Sequence, residues 1–341
     1  MLSKFFELLY NKVFVNIVVN KHAVVVEIDT YTKKGSIDSV EESFETSDIN
    51  EKMISFIKSY IAETPYYYIS VLDISTQQGV IPSCDKTKLA NYHDLGDSKY
   101  QCFEKKWTYY TSKADLYAIE KTYEKIGIDF IFSPFSVVAH FFHEKIQENM
   151  ALFTLVQDNF LALCVFENGE LIFGQYLDME NTQEHEDLLL DSVEEENDLD
   201  FDLEDGIDLE DVDVIDDLES DEDFGDIEDL DSIEDIDEFS QTQDVEEEFY
   251  QESEEEIKEN ASSDGFNEDY QRFSLIQSAV NYFYKDTRYD SKFIESIYIA
   301  DAAGVSPDLK TYLEEEMFLN VYIRQIDLPF EISSLAQEEV L

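Results

Sequence analysis

Val13-Phe14-Val15-Asn16-Ile17-Val18-Val19-Asn20 and Ala23-Val24-Val25-Val26-Glu27-Ile28 are two β-branched runs joined by the polar Asn20-Lys21-His22, which is a hairpin signature. Working outward, a more polar third strand spans Ser36 to Glu45. Ser47 can cap a helix that places Met53, Phe56, Ile57, Tyr60 and Ile61 on one face. Pro65 ends that unit, and Tyr66 to Ile74 reads as a buried strand. From Ser75 to about Tyr110 the pattern becomes polar and irregular, with a strand near Trp107 to Thr111. Ser112-Lys113-Ala114-Asp115 then has capping-box spacing, and the helix after it carries Leu116, Ile119, Tyr123 and Ile126 as far as Gly127. A short strand, Ile128 to Phe132, leads to Ser133-Pro134, an N-cap and first-turn proline for a helix through about Gln147.

A second series follows. Ala151–Val156, Phe160–Phe166 and Glu170–Tyr176 form a meander whose second turn is Glu167-Asn168-Gly169. After an acidic interruption come a helix (Phe273, Ile276, Val280, Phe283), a strand from Ile294 to Ala300, a helix opened by Ser306-Pro307, and a closing strand from Asn320 to Ile326. Both halves therefore read β-β-β-α-β-α-β, with a terminal helix expected only in the first. Each half is a sheet with helices to cover it, an α/β architecture.

The interruption explains the composition. The 341 residues carry a formal charge of −57, and 42 acidic residues with a single Lys fall between Asn181 and Tyr270. Apolar residues there are too sparse to offset ordering entropy, so disorder is the expectation. Such acidity excludes nucleic acid as a partner and suits basic proteins. Cys84, Cys102 and Cys164 lack metal-like spacing and read as reduced thiols, with Cys164 in a core strand. No run is long enough to span a bilayer. Residues 2 to 10 make a poor signal peptide, and read as a packed leader or a short interfacial helix.

No nucleophile, P-loop or dinucleotide fingerprint is present, so no catalytic and no metal-binding residue is assigned. His140, His143 and Glu144 share a helix face, but a helix packed through Phe141 and Phe142 with histidines at its edge is the simpler reading. The aromatics Tyr66, Tyr68, Trp107 and Tyr109 suit either a peptide-docking surface or core packing.

The duplicated order of elements is that of the two-lobed actin, sugar-kinase and Hsp70 superfold. Within it, Trp107 to Phe142 (with Lys113-Ala114-Asp115-Leu116 and Ser133-Pro134-Phe135), Leu155 to Tyr176 (ending Asn168-Gly169-Glu170-Leu171-Ile172-Phe173) and Ile294 to Ile323 (with Pro307 and Leu309) resemble the type IV pilus assembly protein PilM. More distantly they resemble the cytoplasmic domain of the type II secretion protein GspL. The resemblance implies a first actin-like lobe over 1–147 with a small inserted subdomain at about 75–110. It implies a second lobe over 151–180 plus 271–330, around a disordered acidic insertion at 181–270.

ATP-binding members of the superfold need carboxylates for Mg²⁺ and glycines for close approach to phosphate and adenosine. The matching positions here are Asn16 and Asn20 in the first hairpin, Leu155, Gln157 and Asp158 in the second, and Asp301, Ala302 and Gly304 at the adenosine turn. The resemblance thus implies a degenerate site in which ATP and Mg²⁺ are disfavoured. It also implies a non-catalytic cytoplasmic scaffold, peripheral to the inner membrane, of a type IV pilus, type II secretion or DNA-uptake apparatus. That scaffold would bind the cytoplasmic tail of an inner-membrane assembly protein, and a motor ATPase or other basic protein through the acidic segment. The alternatives are a divergent actin-like ATPase and an FtsA-like cell-division protein. The second is disfavoured because Glu331 to Leu341 holds three glutamates and no basic residue.

Overall fold

The computed structural model describes residues 10–32, 37–46, 48–179, 263–289 and 291–340. The leader at residues 2 to 10, apart from Tyr10, and the acidic segment up to residue 262 lie outside them. β1 (Lys12–Val19), β2 (Val24–Tyr31) and β3 (Ile37–Phe44) form an antiparallel meander. α1 (Glu51–Ile61) follows, capped by Asn50, whose Oδ1 accepts from Met53 N at 2.9 Å. Ser47, the expected cap, lies outside the described residues. β4 (Tyr67–Leu72) runs parallel to β1.

Strand alternation sorts the side chains. Val13, Val15, Ile17, Ile69 and Val71 turn to Met53, Ile54 and Ile57 of α1. Phe14, Val18 and Leu72 turn the other way, toward the second half of the molecule.

The irregular stretch folds as β5 (Gln78–Ile81), α2 (Lys86–Leu89), β6 (Ser98–Phe103) and β7 (Trp107–Ser112), a three-stranded sheet of order β5-β7-β6. Ser112 caps α3 (Lys113–Thr122), accepting from Asp115 N at 3.1 Å. β8 (Phe130–Phe132) and α4 (Pro134–Phe141) complete the first lobe.

The second lobe contains β9 (Ala151–Val156), β10 (Phe160–Glu167), β11 (Glu170–Asp178), α5 (Ser263–Lys285), β12 (Ser296–Asp301), α6 (Pro307–Met317), β13 (Asn320–Gln325) and α7 (Leu328–Val340). Asn168 and Gly169 turn the β10–β11 hairpin with φ of 51° and 80°, the left-handed pair that a two-residue hairpin turn requires. The two five-stranded sheets have equivalent orders, β3-β2-β1-β4-β8 and β11-β10-β9-β12-β13. Two such sheets, each covered by helices, make the two-lobed actin-like fold.

Three expectations are corrected. First, Cys84 and Cys102 form a disulfide, with Cα atoms 5.5 Å apart, and only Cys164 is a free thiol among the described residues. The cause is local topology. Thr108 pairs with Cys102 across β6–β7 and donates its hydroxyl to Ser83 O at 2.7 Å, which brings Cys84 alongside. Second, the second half also ends in a helix. α7 crosses onto the first lobe and buries Leu328, Ile332, Leu335 and Ala336 against Phe14, Val18 and Leu72. Third, α5 begins at Ser263, inside the segment that composition assigns to the insertion, and Asp269 is buried.

The core between the lobes is continuous. Phe153, Leu155, Phe160 and Phe166 of the second sheet join Phe14, Val18 and Leu72 of the first. The inserted sheet closes the same seam from the side. Tyr176 donates to Ile74 O at 2.9 Å, and a Cβ at residue 174 would lie 2.3 Å from Val80 Cγ2, so this approach of β5 to β11 requires Gly174.

Candidate functional site

The cleft between the lobes is built from three turns: β1–β2 (Val19 to Ala23), β9–β10 (Gln157 to Asn159), and the turn after β12 (Asp301 to Ser306). Asn20 N donates to Ala23 O at 2.8 Å and Gln157 N to Phe160 O at 3.0 Å, closing the two hairpins. The hairpins then meet directly. Gln157 is buried, and its Nε2 donates to Asn20 Oδ1 at 2.6 Å and to Val19 O at 3.2 Å. A side chain longer than glycine at residue 157 therefore bridges the lobes at the point where the tips come together.

The third turn is filled from within. Asp301 Oδ1 accepts from Ala303 N at 3.0 Å and Gly304 N at 2.8 Å, and its carboxylate also takes Val305 N. Successive backbone amides of this kind make an anion-binding nest; here the chain's own carboxylate occupies it. Gly304 holds φ at 73° to complete the turn. Ala302 N donates to Val156 O at 2.9 Å, which docks the turn on the second hairpin.

Asp158 points instead toward a charged group flanking the cleft. Burial raises its pKa above the usual carboxylate range, with Arg272, Lys21 and His22 pulling it back. Lys21 lies 3.7 Å from Glu268, Arg272 lies 2.6 Å from Asp269, and Asp269 accepts Ser306 N at 2.9 Å. This chain of contacts ties the first hairpin to the start of α5 and the cap of α6.

Beside these turns lies a cavity of about 290 Å³ whose lining includes Val18, Asn20, Ala302, Glu41, Asp327 and Leu328. It contains two carboxylates and no basic residue. A triphosphate entering here would meet Glu41 and Asp327.

Of the eight sequence-predicted positions, Asn20, Gln157, Asp301, Ala302 and Gly304 gather around the cleft. Asn16 and Leu155 lie beneath it, fully buried, and Asp158 lies to one side. Sequence reading missed Glu41, Asp327 and the start of α7. The signal for α7 was present: Leu328, Ile332, Leu335 and Ala336 have helical spacing behind Asp327, whose Oδ1 accepts Phe330 N at 3.2 Å.

The aromatic positions separate. Tyr66 sits 6.0 Å from Tyr10, and Tyr68 stacks on Phe14 at 5.3 Å. Trp107 is 2% exposed, packed on Phe103 and Phe166, so it forms core rather than an open docking wall. Tyr109 is half-buried, its pKa pushed up to about 12 by burial. With Tyr100, Leu116, Ile128 and Ile131 it lines a groove of about 350 Å³ between the inserted sheet and the first lobe. His140 joins α4 to α7, its Nδ1 2.7 Å from Glu331 Oε2. That contact raises its pKa, while His143 is exposed.

The family described as Domain of unknown function (DUF8341) matches residues 152–341. The chain belongs to this family. A second family, Domain of unknown function (DUF8569), matches residues 10–139 of the DUF8341 chain. No curated protein matches it.

Among solved structures, the chain is similar to a protein of unknown function with an actin-like ATPase fold from Bacteroides thetaiotaomicron. Identity is 14% and the TM-score 0.33, over 54% of this chain and 77% of that one. It is also similar to the PilM–PilN type IV pilus biogenesis complex, at 9% identity and TM-score 0.43, over 93% and 89%. MreB5 of Spiroplasma citri bound to ADP gives 9% and 0.43, over 96% and 97%. Among the described residues no helix is long and apolar enough to cross a membrane.

Proposed function

We propose that this chain is a non-catalytic scaffold of an inner-membrane type IV pilus, type II secretion or DNA-uptake apparatus, in which the actin-like cleft has become a structural joint. The observation that carries the reading is the direct Gln157–Asn20 bond between the two hairpins. The Asp301 carboxylate in the backbone nest and the acidic cavity lining support it, and so does the resemblance of Trp107–Phe142 and Leu155–Tyr176 to PilM. In this reading Asn16, Asn20, Leu155, Gln157, Asp158, Asp301, Ala302 and Gly304 are relics of a nucleotide site, and neither ATP nor Mg²⁺ is retained.

The partner is the cytoplasmic tail of a membrane protein, bound in the groove between the inserted sheet and the first lobe. Two edge strands, β6 and β8, flank that groove, and edge strands pair readily with an extended segment. The protein then works in the cytoplasm and reaches the membrane through this partner, while the acidic segment gathers a motor ATPase or another basic protein. The Cys84–Cys102 disulfide runs against a reducing compartment, and thiol labelling in intact cells tests that placement.

Titration with Mg-ATP is the decisive experiment. No binding tighter than about the millimolar range, roughly −4 kcal/mol, is expected. Micromolar, Mg²⁺-dependent binding would overturn the scaffold reading in favour of an ATPase.

A further inference from the structure

At the end of the second lobe away from the cleft, two aromatic side chains face solvent. Phe293 is 69% and Phe318 80% exposed. Their chain neighbours Ile294 and Leu319 are buried in the lobe core. Asn320 N and Nδ2 both donate to Glu295 O, at 2.8 and 3.2 Å, and Ser296 pairs with Asn320. The two phenylalanines therefore flank one hydrogen-bonded corner, where β12 and β13 begin.

This corner breaks several local rules together. Phe318 ends α6 in the left-handed region, φ 55° and ψ 35°, a position that helices usually give to glycine. The last turn of α6 carries exposed Glu314, Glu315 and Glu316 and no basic residue, at the helix end that disfavours negative charge. Lys310 reaches Glu314 at 3.7 Å. No ion pair is seen for Glu315, Glu316 or Glu295 among the described residues. Violations of local preference concentrated at one spot mark function rather than folding.

We propose that this corner is a docking tip for a basic protein segment bearing an apolar pocket, with Phe293 and Phe318 as anchors and Glu295, Glu315 and Glu316 as the charged collar. Charge complementarity selects the occupant, because the collar repels anionic lipid and nucleic acid and favours Lys- and Arg-rich surfaces. Exposed aromatics supply the affinity, as in interface hot spots.

The probe is a synthetic amphipathic peptide of Lys and Leu, with a Glu and Leu counterpart as control, titrated against the full chain at 0.15 and 0.5 M NaCl. The acidic segment also attracts the probe, but equally in every variant, and that attraction fades at high salt. At 0.5 M NaCl, Phe318→Gly and Phe293→Ser are each expected to weaken binding about tenfold. The melting temperature of Phe318→Gly should be unchanged or raised, since glycine relaxes the left-handed position. Glu315→Gln with Glu316→Gln should weaken binding at 0.15 M more than at 0.5 M. Wild-type affinity in both phenylalanine variants, no binding by wild type at 0.5 M, or equal binding of the acidic control would overturn the proposal. So would self-association of the protein alone that Phe318→Gly abolishes, since the occupant would then be a second copy.

Discussion

Glu27, Asn16 and Ser70 stand in register across β2, β1 and β4, on the face that also carries Phe14 and Val18. All three are buried, and among the described residues Glu27 Oε2, both polar atoms of the Asn16 side chain and Ser70 Oγ have no hydrogen-bond partner. Burial, then the neighbouring Asp29, raise the Glu27 carboxyl from the ordinary value of 4.5 to about 7, against the hydrogen bond from Ser39 at 2.9 Å. A carboxyl that binds its proton more tightly folded than unfolded favours the fold at low pH, and that contribution is lost as pH rises between those two values. Glu27→Gln is therefore expected to raise stability by about 2 kcal/mol at pH 8, with the gain vanishing below about pH 4.5. Denaturant melts at the two pH values check the sign. None of this row was legible from sequence beyond Asn16, because a valine-rich strand announces its periodicity but not which polar residues its neighbours will place beside it.

Elements were read with more success than their ends. The β-branched hairpins, Ser112, Ser133-Pro134 and Asn168-Gly169 declared themselves through local chemistry. α7 escapes a reading in which the repeated order of elements closes at Ile326, and the disulfide escapes because sequence spacing alone cannot show that β7 lies between the other strands of the inserted sheet. The start of α5 was obscured by acidic composition. Tertiary contacts decide it: Asp269 accepts both Arg272 Nη1 at 2.6 Å and Ser306 N at 2.9 Å. Replacing residues 181–262 with a short Gly/Ser linker is thus expected to leave a cooperative melt close to wild type, since the described body keeps all its elements. Extending the deletion through Tyr270 removes Asp269 and leaves Arg272 buried without its main partner, a loss of about 3 kcal/mol or more. Equal melts for the two deletions would show that the Asp269 contacts do not hold the second lobe.

At the scale of the whole molecule, several contacts fasten the lobes, among them the Lys21–Glu268 pair at 3.7 Å. Gln157 bonds Asn20 and Val19 at the hairpin tips. Ile74, and Val80 of the inserted sheet, meet Tyr176 and Gly174 of β11. α7 belongs to the second half by sequence but buries its apolar face on the first sheet. A hinge can work only if one state is reached at modest cost, and opening this cleft would part Phe153 and Phe166 of the second sheet from Phe142 and Trp107 of the first lobe, at about 1.5–3 kcal/mol for each side chain fully uncovered. The lobes are therefore expected to stay closed with or without nucleotide. Small-angle scattering on the chain with residues 181–262 replaced by the linker should give the same radius of gyration in buffer and in millimolar Mg-ATP. Gln157→Gly combined with Asp301→Gly removes the bridge and empties the nest without touching the apolar seam, and it should leave that radius unchanged as well. A nucleotide-dependent contraction in either protein would show that the seam opens, and that the cleft still works as a hinge.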